Sequence, residues 1–298
     1  MQEINCGAWL RSKSQGLLVY WYPNGGNAGD HLIGAATDVL FRSNNIRYKL
    51  ISDANNFDSN GKVILYGGGG CLIPTWTAAR NFIKMHHRLA KRLVVLPHTI
   101  NGNEDILGAL GPNTTLICRD GVSFEHCQAA APDAEILLAD DLALSLKSKA
   151  LLGWRITRAA IAEPKTYRTM LSVFRTFLDE TRGLEELTVW RNDAERHPSR
   201  FHGPIHDISR MFELKGGNGS VNQLRISAHF FLSAINRFPS VITDRLHVAI
   251  GGAILGKQVR LYNNSYFKNR AVYELSLRSY PKVTFVDGFP EPACRSGG

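Results

Sequence analysis

Nowhere in the 298 residues is there an uninterrupted apolar run of about 18 residues, the length a membrane-spanning helix needs, so no spanning segment is expected. The first residues, "MQEINCGAWLRSKSQG", lack the apolar core of a secretory signal, and export is not expected. Five cysteines (Cys6, Cys71, Cys118, Cys127 and Cys294) are scattered, odd in number and without a C-x-x-C pair. That pattern argues against a disulfide framework and against structural zinc, and fits reduced thiols in the cytoplasm. The net charge is +9, yet no block of five or more like charges occurs. Nucleic-acid partners favour clustered Lys and Arg, so the charge points instead to an anionic substrate or an anionic membrane surface. Neither a dinucleotide G-x-G-x-x-G nor a Walker lysine follows the glycine-rich turns.

What is present is an α/β pattern. Hydrophobic residues make up 44% and charged residues 20%, as in a globular chain with a sizeable core. The length suggests two domains. Apolar runs at 16–23, 46–52, 62–68, 92–100, 114–120 and 134–144 read as strands, with helices at 30–45 and 77–91. Short apolar strands separated by helices predict a parallel sheet covered on both faces. The stretch 145–168 breaks this rhythm and marks a boundary between domains 1–150 and 165–298. A second, smaller parallel unit follows, with apolar runs at 169–177, 239–244, 258–264 and 282–288 and helices near 221–237, 246–256 and 269–278. The polar stretch 182–220 has no assignment. Two doubly wound units facing each other would place a cleft at the carboxyl ends of both sheets.

The chemistry-bearing residues gather at predicted strand ends. "NGGNAGDHLIG" (24–34) holds Asn27, Gly29 and Asp30; Asn27 or Asp30 can cap the first long helix, with Asp30 well placed before His31. It reads either as a capped tight turn or as a place of close ligand approach. "YGGGG" (66–70) includes Gly68 and Gly69 and reads as a loop of exposed amides or as a hinge. "CRDGVSFEHC" (118–127) pairs Arg119 and Asp120 with Ser123 in a helix's first turn. In "ADDLAL" (139–144), Asp140 and Asp141 point to opposite faces, so they are not expected to form a catalytic pair. "TDRLH" (243–247) sets Arg245 and His247 at a helix start capped by Thr243 or Asp244. Helix dipoles disfavour cations there, which makes sense if an anion binds. Lys268 follows the next strand on the same edge. A solvated turn is the plainer alternative.

Together Asn27-Ala28-Gly29-Asp30, "YGGGG", Arg119-Asp120-x-x-Ser123, "ITDRLHVAIGGAILG" and the later lysine resemble the polysaccharide pyruvyl transferases, in order and spacing, over nearly the whole chain. The resemblance implies two Rossmann-like domains in a GT-B-like arrangement. It implies phosphoenolpyruvate as donor, a sugar unit of a cell-surface polysaccharide as acceptor and a pyruvate ketal as product. It also matches Arg119, Arg245, His247 and Lys268 to residues that hold phosphoenolpyruvate.

Phosphoenolpyruvate carries a carboxylate and a phosphate, which arginines grip bidentately and a lysine holds as a point charge. His247 is the expected proton donor and Asp30 the expected base; Asn27, Gly29, Gly68, Gly69 and Ser123 join Arg119, Arg245 and Lys268 as substrate contacts. No cofactor or metal is expected. The acceptor is expected to be lipid-linked, reached from the cytoplasm with peripheral contact at the inner membrane surface. A nucleotide-sugar glycosyltransferase on the same fold and a non-catalytic carbohydrate-binding protein are the alternatives. The first needs a base-and-ribose pocket; the second has no need of the Arg245–His247–Lys268 cluster.

Overall fold

A computed structural model describes residues 3–146, 155–197, 206–215 and 219–288. Two parallel sheets are formed. The first is ordered β2-β1-β3-β5-β6-β7, with β4 also paired to β5. Its strands are β1 (Val19–Tyr22), β2 (Tyr48–Leu50), β3 (Val63–Tyr66), β4 (Gly69–Leu72), β5 (Arg92–Ile100), β6 (Thr114–Cys118) and β7 (Glu135–Leu138). The second is ordered β11-β10-β9-β8, from β8 (Glu186–Val189), β9 (Ser240–Thr243), β10 (Gln258–Tyr262) and β11 (Val283–Val286).

The pleat sorts the first sheet's side chains. Val94 and Leu96 enter one apolar cluster while Leu93 and Val95 enter the other, the two-residue alternation of a strand buried on both faces. One cluster runs on into the second sheet through Leu187, Val241, Val259 and Leu261. It crosses by way of two packed helices, Ala28–Ser43 and Val221–Asn236. Both start with a capping box, Asn27 with Asp30 and Ser220 with Gln223, which satisfies amides the first helical turn leaves bare. Of the two expected candidates Asn27 is the N-cap, and Asp30 is the third helical residue, reaching back to it.

Other elements depart from expectation. The run 169–177 lies inside a helix, Pro164–Glu180, whose buried Met170 and Phe177 are one turn-periodic face. The first strand of the second sheet is instead β8, inside the polar stretch left unassigned. The glycine run is not an open loop of amides: Gly68 and Gly69 are buried, and Gly69 opens β4 beside His98. A helix at Cys6–Ser14 was not anticipated. Residues 147–154 of the expected boundary, 198–205 and 216–218 of the polar stretch, and Cys294 lie outside the described residues. Cys6, Cys71, Cys118 and Cys127 are free thiols.

Candidate active site

Crossover helices bring every strand's carboxyl end to one edge of its sheet. Arg119 leaves β6 at that edge of the first sheet, and Arg245 and His247 leave β9 at that edge of the second. The two edges meet: Arg119 Nη1 lies 3.3 Å from His247 Nε2.

Arg119 is only 1% exposed. Its Nε donates to Thr99 Oγ1 (2.9 Å) and its Nη1 to Asp141 Oδ2 (2.6 Å). Thr99 in turn donates to Asp120 Oδ2 (3.0 Å). Asp120 is the N-cap of the helix Gly121–Ala130, accepting from Ser123 N at 2.7 Å. Ser123 is wholly buried, its Oγ accepting from Ile100 N (2.8 Å) and donating to Asp120 (2.9 Å). These bonds hold the turn behind Arg119.

Asp141 does two tasks. One oxygen caps the short 3-10 turn at Ala143 N (2.9 Å) and the other faces Arg119. Asp140 is exposed. Burial opposes ionisation of Asp141, but Arg119 and His247 outweigh it and hold its carboxyl below the usual range. His247 Nε2 is 3.6 Å from Asp141 Oδ2, an ion-pair distance. A neutral His247 accepts from Arg119; a protonated one faces Asp141. His247 Nε2 therefore faces a donor on one side and an acceptor on the other.

Close approach explains two glycines. A Cβ on Gly29 would lie 2.3 Å from His247 Nδ1, and one on Gly70 would lie 2.8 Å from Arg119 Nη2 and 3.5 Å from the Lys268 stem. Gly29 thus lets the first turn of the Ala28–Ser43 helix touch His247. Asp30, in the same turn, accepts from Asn24 Nδ2 (3.3 Å) and Asn27 N (3.1 Å). Burial raises its pKa, with the charges of His247, Arg119 and Lys268 pulling the other way.

The cations of the second sheet's edge carry partners that sequence reasoning missed. Arg245 pairs with Asp193 (2.7 Å) and with Asp207, and Lys268 pairs with Glu195. Arg191 bridges Asp193 (3.0 Å) and Glu195 (3.2 Å). Burial draws the Lys268 ammonium down to about 8, against the pull of Glu195. Neither Thr243 nor Asp244 caps the following helix as expected. Arg245 itself holds the N-cap position, while Asp244 accepts from Arg191 N (2.8 Å) and Thr243 Oγ1 from Arg245 N (2.9 Å). The signal that could have revealed this loop was "ELTVWRNDAE" (186–195), an apolar strand running into alternating charges.

Trp76, at the far end of the glycine-rich stretch, donates to Glu195 Oε1 (2.9 Å), so the loop is tied to both sheets. Arg119, His247, Asp141, Asp30 and Lys268 come together directly; Arg245 joins through Asp193, Arg191 and Glu195.

Buried arginines, a buried lysine and a histidine thus line the facing edges of two parallel α/β sheets. The chain belongs to the polysaccharide pyruvyl transferase family: residues 27–266 match that family's profile. Among curated proteins it is 24% identical to the "Putative pyruvyl transferase EpsO" of Bacillus subtilis (strain 168), over 89% of this chain and 86% of that one. Among solved structures it is similar to a functionally uncharacterised protein of Klebsiella pneumoniae. That likeness has a TM-score of 0.72 and 26% identity, over 95% of this chain and 97% of the other. Family membership places the chain among transferases that move pyruvyl groups to polysaccharide.

Proposed function

We propose that the chain transfers pyruvate from phosphoenolpyruvate to two hydroxyls of one sugar unit in a cell-surface polysaccharide precursor, releasing phosphate and leaving a ketal. The observation that carries this reading is the Arg119–His247 contact across the two sheet edges (3.3 Å), with the Lys268 stem beside Gly70. It sets a proton donor among groups suited to a carboxylate and a phosphate. The two sheets are read as Rossmann-like domains, 1–150 on the acceptor side and 165–298 on the donor side, in a GT-B-like arrangement.

In this mechanism His247 gives its proton to the donor's methylene carbon, and positive character develops at C2. A sugar hydroxyl adds to C2, its proton passing to Asp30. The second hydroxyl replaces phosphate at C2 and closes the ketal; its proton leaves with the phosphate or returns to His247. Arg119, Arg245 and Lys268 stabilise the departing charge. Asn27, Gly29, Gly68, Gly69 and Ser123 hold the loops that carry these groups. Donor binding requires Asp193 and Glu195 to give up Arg245 and Lys268.

The activity is placed in the cytoplasm, on a lipid-linked acceptor at an anionic inner leaflet. Among the described residues no helix is long and apolar enough to cross a membrane. Phosphoenolpyruvate should raise the melting temperature and nucleotide sugars should not, because a ligand selective for the native state stabilises it. His247→Ala should keep most of that shift while phosphate release at saturating donor falls about 10²–10⁴-fold. A melt shifted by a nucleotide sugar and not by phosphoenolpyruvate would overturn the donor. Normal turnover of His247→Ala would move the acid elsewhere.

A further inference from the structure

The first sheet's strand order reverses at β1, which has β2 on one side and β3 on the other. Connections leaving two such strands diverge and open a crevice at their carboxyl ends. Asp30 and Asn24 occupy its inner part. Its outer part is a groove of about 380 Å³, a size within the roughly 300–1,000 Å³ range of small-ligand clefts. We propose that this groove seats a neutral sugar ring, and, given the pyruvyl-transfer reading on which the word rests, that the ring belongs to the acceptor.

The lining fits a pyranose better than an anion. Tyr22, Phe82 and Met85 form an apolar side, while Asp53, Asn55 and Asn81 line the polar side, and no lysine, arginine or histidine is among the lining residues. A sugar ring presents the same division, with C–H groups on its face and hydroxyls at its rim. The side-chain amides of Asn55 and Asn81 are exposed and have no hydrogen-bond partner among the described residues. Each offers two donors and an acceptor to hydroxyls. Asp53 fixes the loop shape by accepting from Asn55 N (2.9 Å) and Asn56 Nδ2 (2.6 Å).

The groove is also joined to the reacting groups. Tyr22 stacks on Phe82 at 4.8 Å and on Tyr66 at 6.0 Å between ring centres. The Tyr66 hydroxyl donates to Asn24 Oδ1 (3.2 Å), and Asn24 Nδ2 donates to Asp30 (3.3 Å). One aromatic stack and one amide thus separate a ring in the groove from Asp30, so the ring seated here is a neighbouring unit of the acceptor and not the one whose hydroxyls react.

The test uses the full chain and the methyl glycosides of glucose, galactose, mannose and N-acetylglucosamine, followed by saturation-transfer NMR. At least one glycoside should receive saturation from the wild-type protein. Met85→Trp, which fills the groove, and Asn81→Ala, at an exposed helix position, should each weaken that binding roughly fivefold or more, the size of one lost polar contact. Both variants should retain the wild-type melting temperature and the shift given by phosphoenolpyruvate. If Met85→Trp does not fold, Asn81→Ala carries the same readout. No glycoside signal with wild type, or equal signals in wild type and Asn81→Ala, overturns the groove. A missing phosphoenolpyruvate shift in wild type overturns the donor reading alone and leaves the glycoside result to decide the groove.

Discussion

Arg119 and Arg245 stand at corresponding places, each in the turn that leaves a strand's carboxyl end, and they are neutralised in opposite ways. Arg119 is held by groups of its own sheet's edge: Thr99 in β5 and Asp141, whose side chain is 0% exposed. Arg245 is held by Asp193 and Asp207, from the irregular stretch after β8, with side chains 19% and 10% exposed. Lys268 shares that loop through Glu195. The first edge is therefore preorganised: on the proposed reading an incoming anion would find Arg119 already aimed. At the second edge it would have to exchange places with carboxylates, so part of its binding energy would go into moving a loop.

Removing each arginine should expose the contrast most strongly. Arg119→Ala leaves Asp141 buried with only Ala143 N and His247 beside it, a loss of about 3–5 kcal/mol for a broken buried pair. Arg245→Ala leaves Asp193 still paired with Arg191 and strips the cation only from Asp207, whose carboxylate is 10% exposed to water, so the loss should be smaller, about 1–3 kcal/mol. Urea midpoints at neutral pH read both. Equal losses would mean that the loop carboxylates are as fixed as Asp141, and the comparison would fall.

Acid should affect the two halves with opposite sign. In the first half, burial lowers His98 to about 3 and His31 to about 4. Between those values and the ordinary histidine value the unfolded chain binds protons that the folded chain does not. Stability from each is full above the ordinary value and falls as pH drops, by ~1.4 kcal/mol per unit. At the second edge, burial raises Asp244 to about 7. There the folded chain holds the extra proton, so stability from Asp244 falls as pH rises from the ordinary aspartate value through about 7. Across mildly acid pH one histidine is offset, leaving a net loss of ~1.4 kcal/mol per unit on lowering pH. His98→Gln should flatten that slope and Asp244→Asn should steepen it. Denaturant titrations in mildly acid buffers, with unchanged slopes in both variants, would refute the assignment.

The first edge was also the more legible one in the sequence. Its strands are unbroken apolar runs, and its charged residues sit where a strand pattern stops, as with "CRD". Arg119 and Asp120 could be placed at a strand end for that reason; at the second edge Arg245, His247 and Lys268 could be placed too, but not their partners. Asp141 was seen but its double duty was not, because capping and ion pairing by one carboxylate depend on which way two oxygens point. At the second edge, β8 is only Glu186–Val189 and is followed by an irregular acidic loop. No period marks such a loop, and nothing in the local pattern says that Asp193 and Glu195 fold back onto cations more than fifty residues away. The glycine run misled for a related reason: glycines permit both an open loop and a tightly packed strand, and only the proximity of Arg119 and Lys268 to Gly70 decides for packing.

The smallest expected effect addresses the exchange itself. Glu195→Gln keeps an oxygen for Trp76 Nε1 but removes the charge that pairs with Lys268. Lys268 is then free for an incoming anion without a carboxylate to displace. Phosphoenolpyruvate should bind roughly three- to tenfold tighter at about pH 6.5, a difference of ~1 kcal/mol. The gain should shrink at about pH 8.5. Glu195 is what raises the Lys268 pKa against burial, so without it the ammonium, already near 8, loses its proton earlier and the donor must restore it. Calorimetric titration at the two pH values reads both statements. Weaker binding of the variant at the lower pH would mean that Glu195 aims Lys268 at the donor rather than occupying it, and the second edge would then be as preorganised as the first.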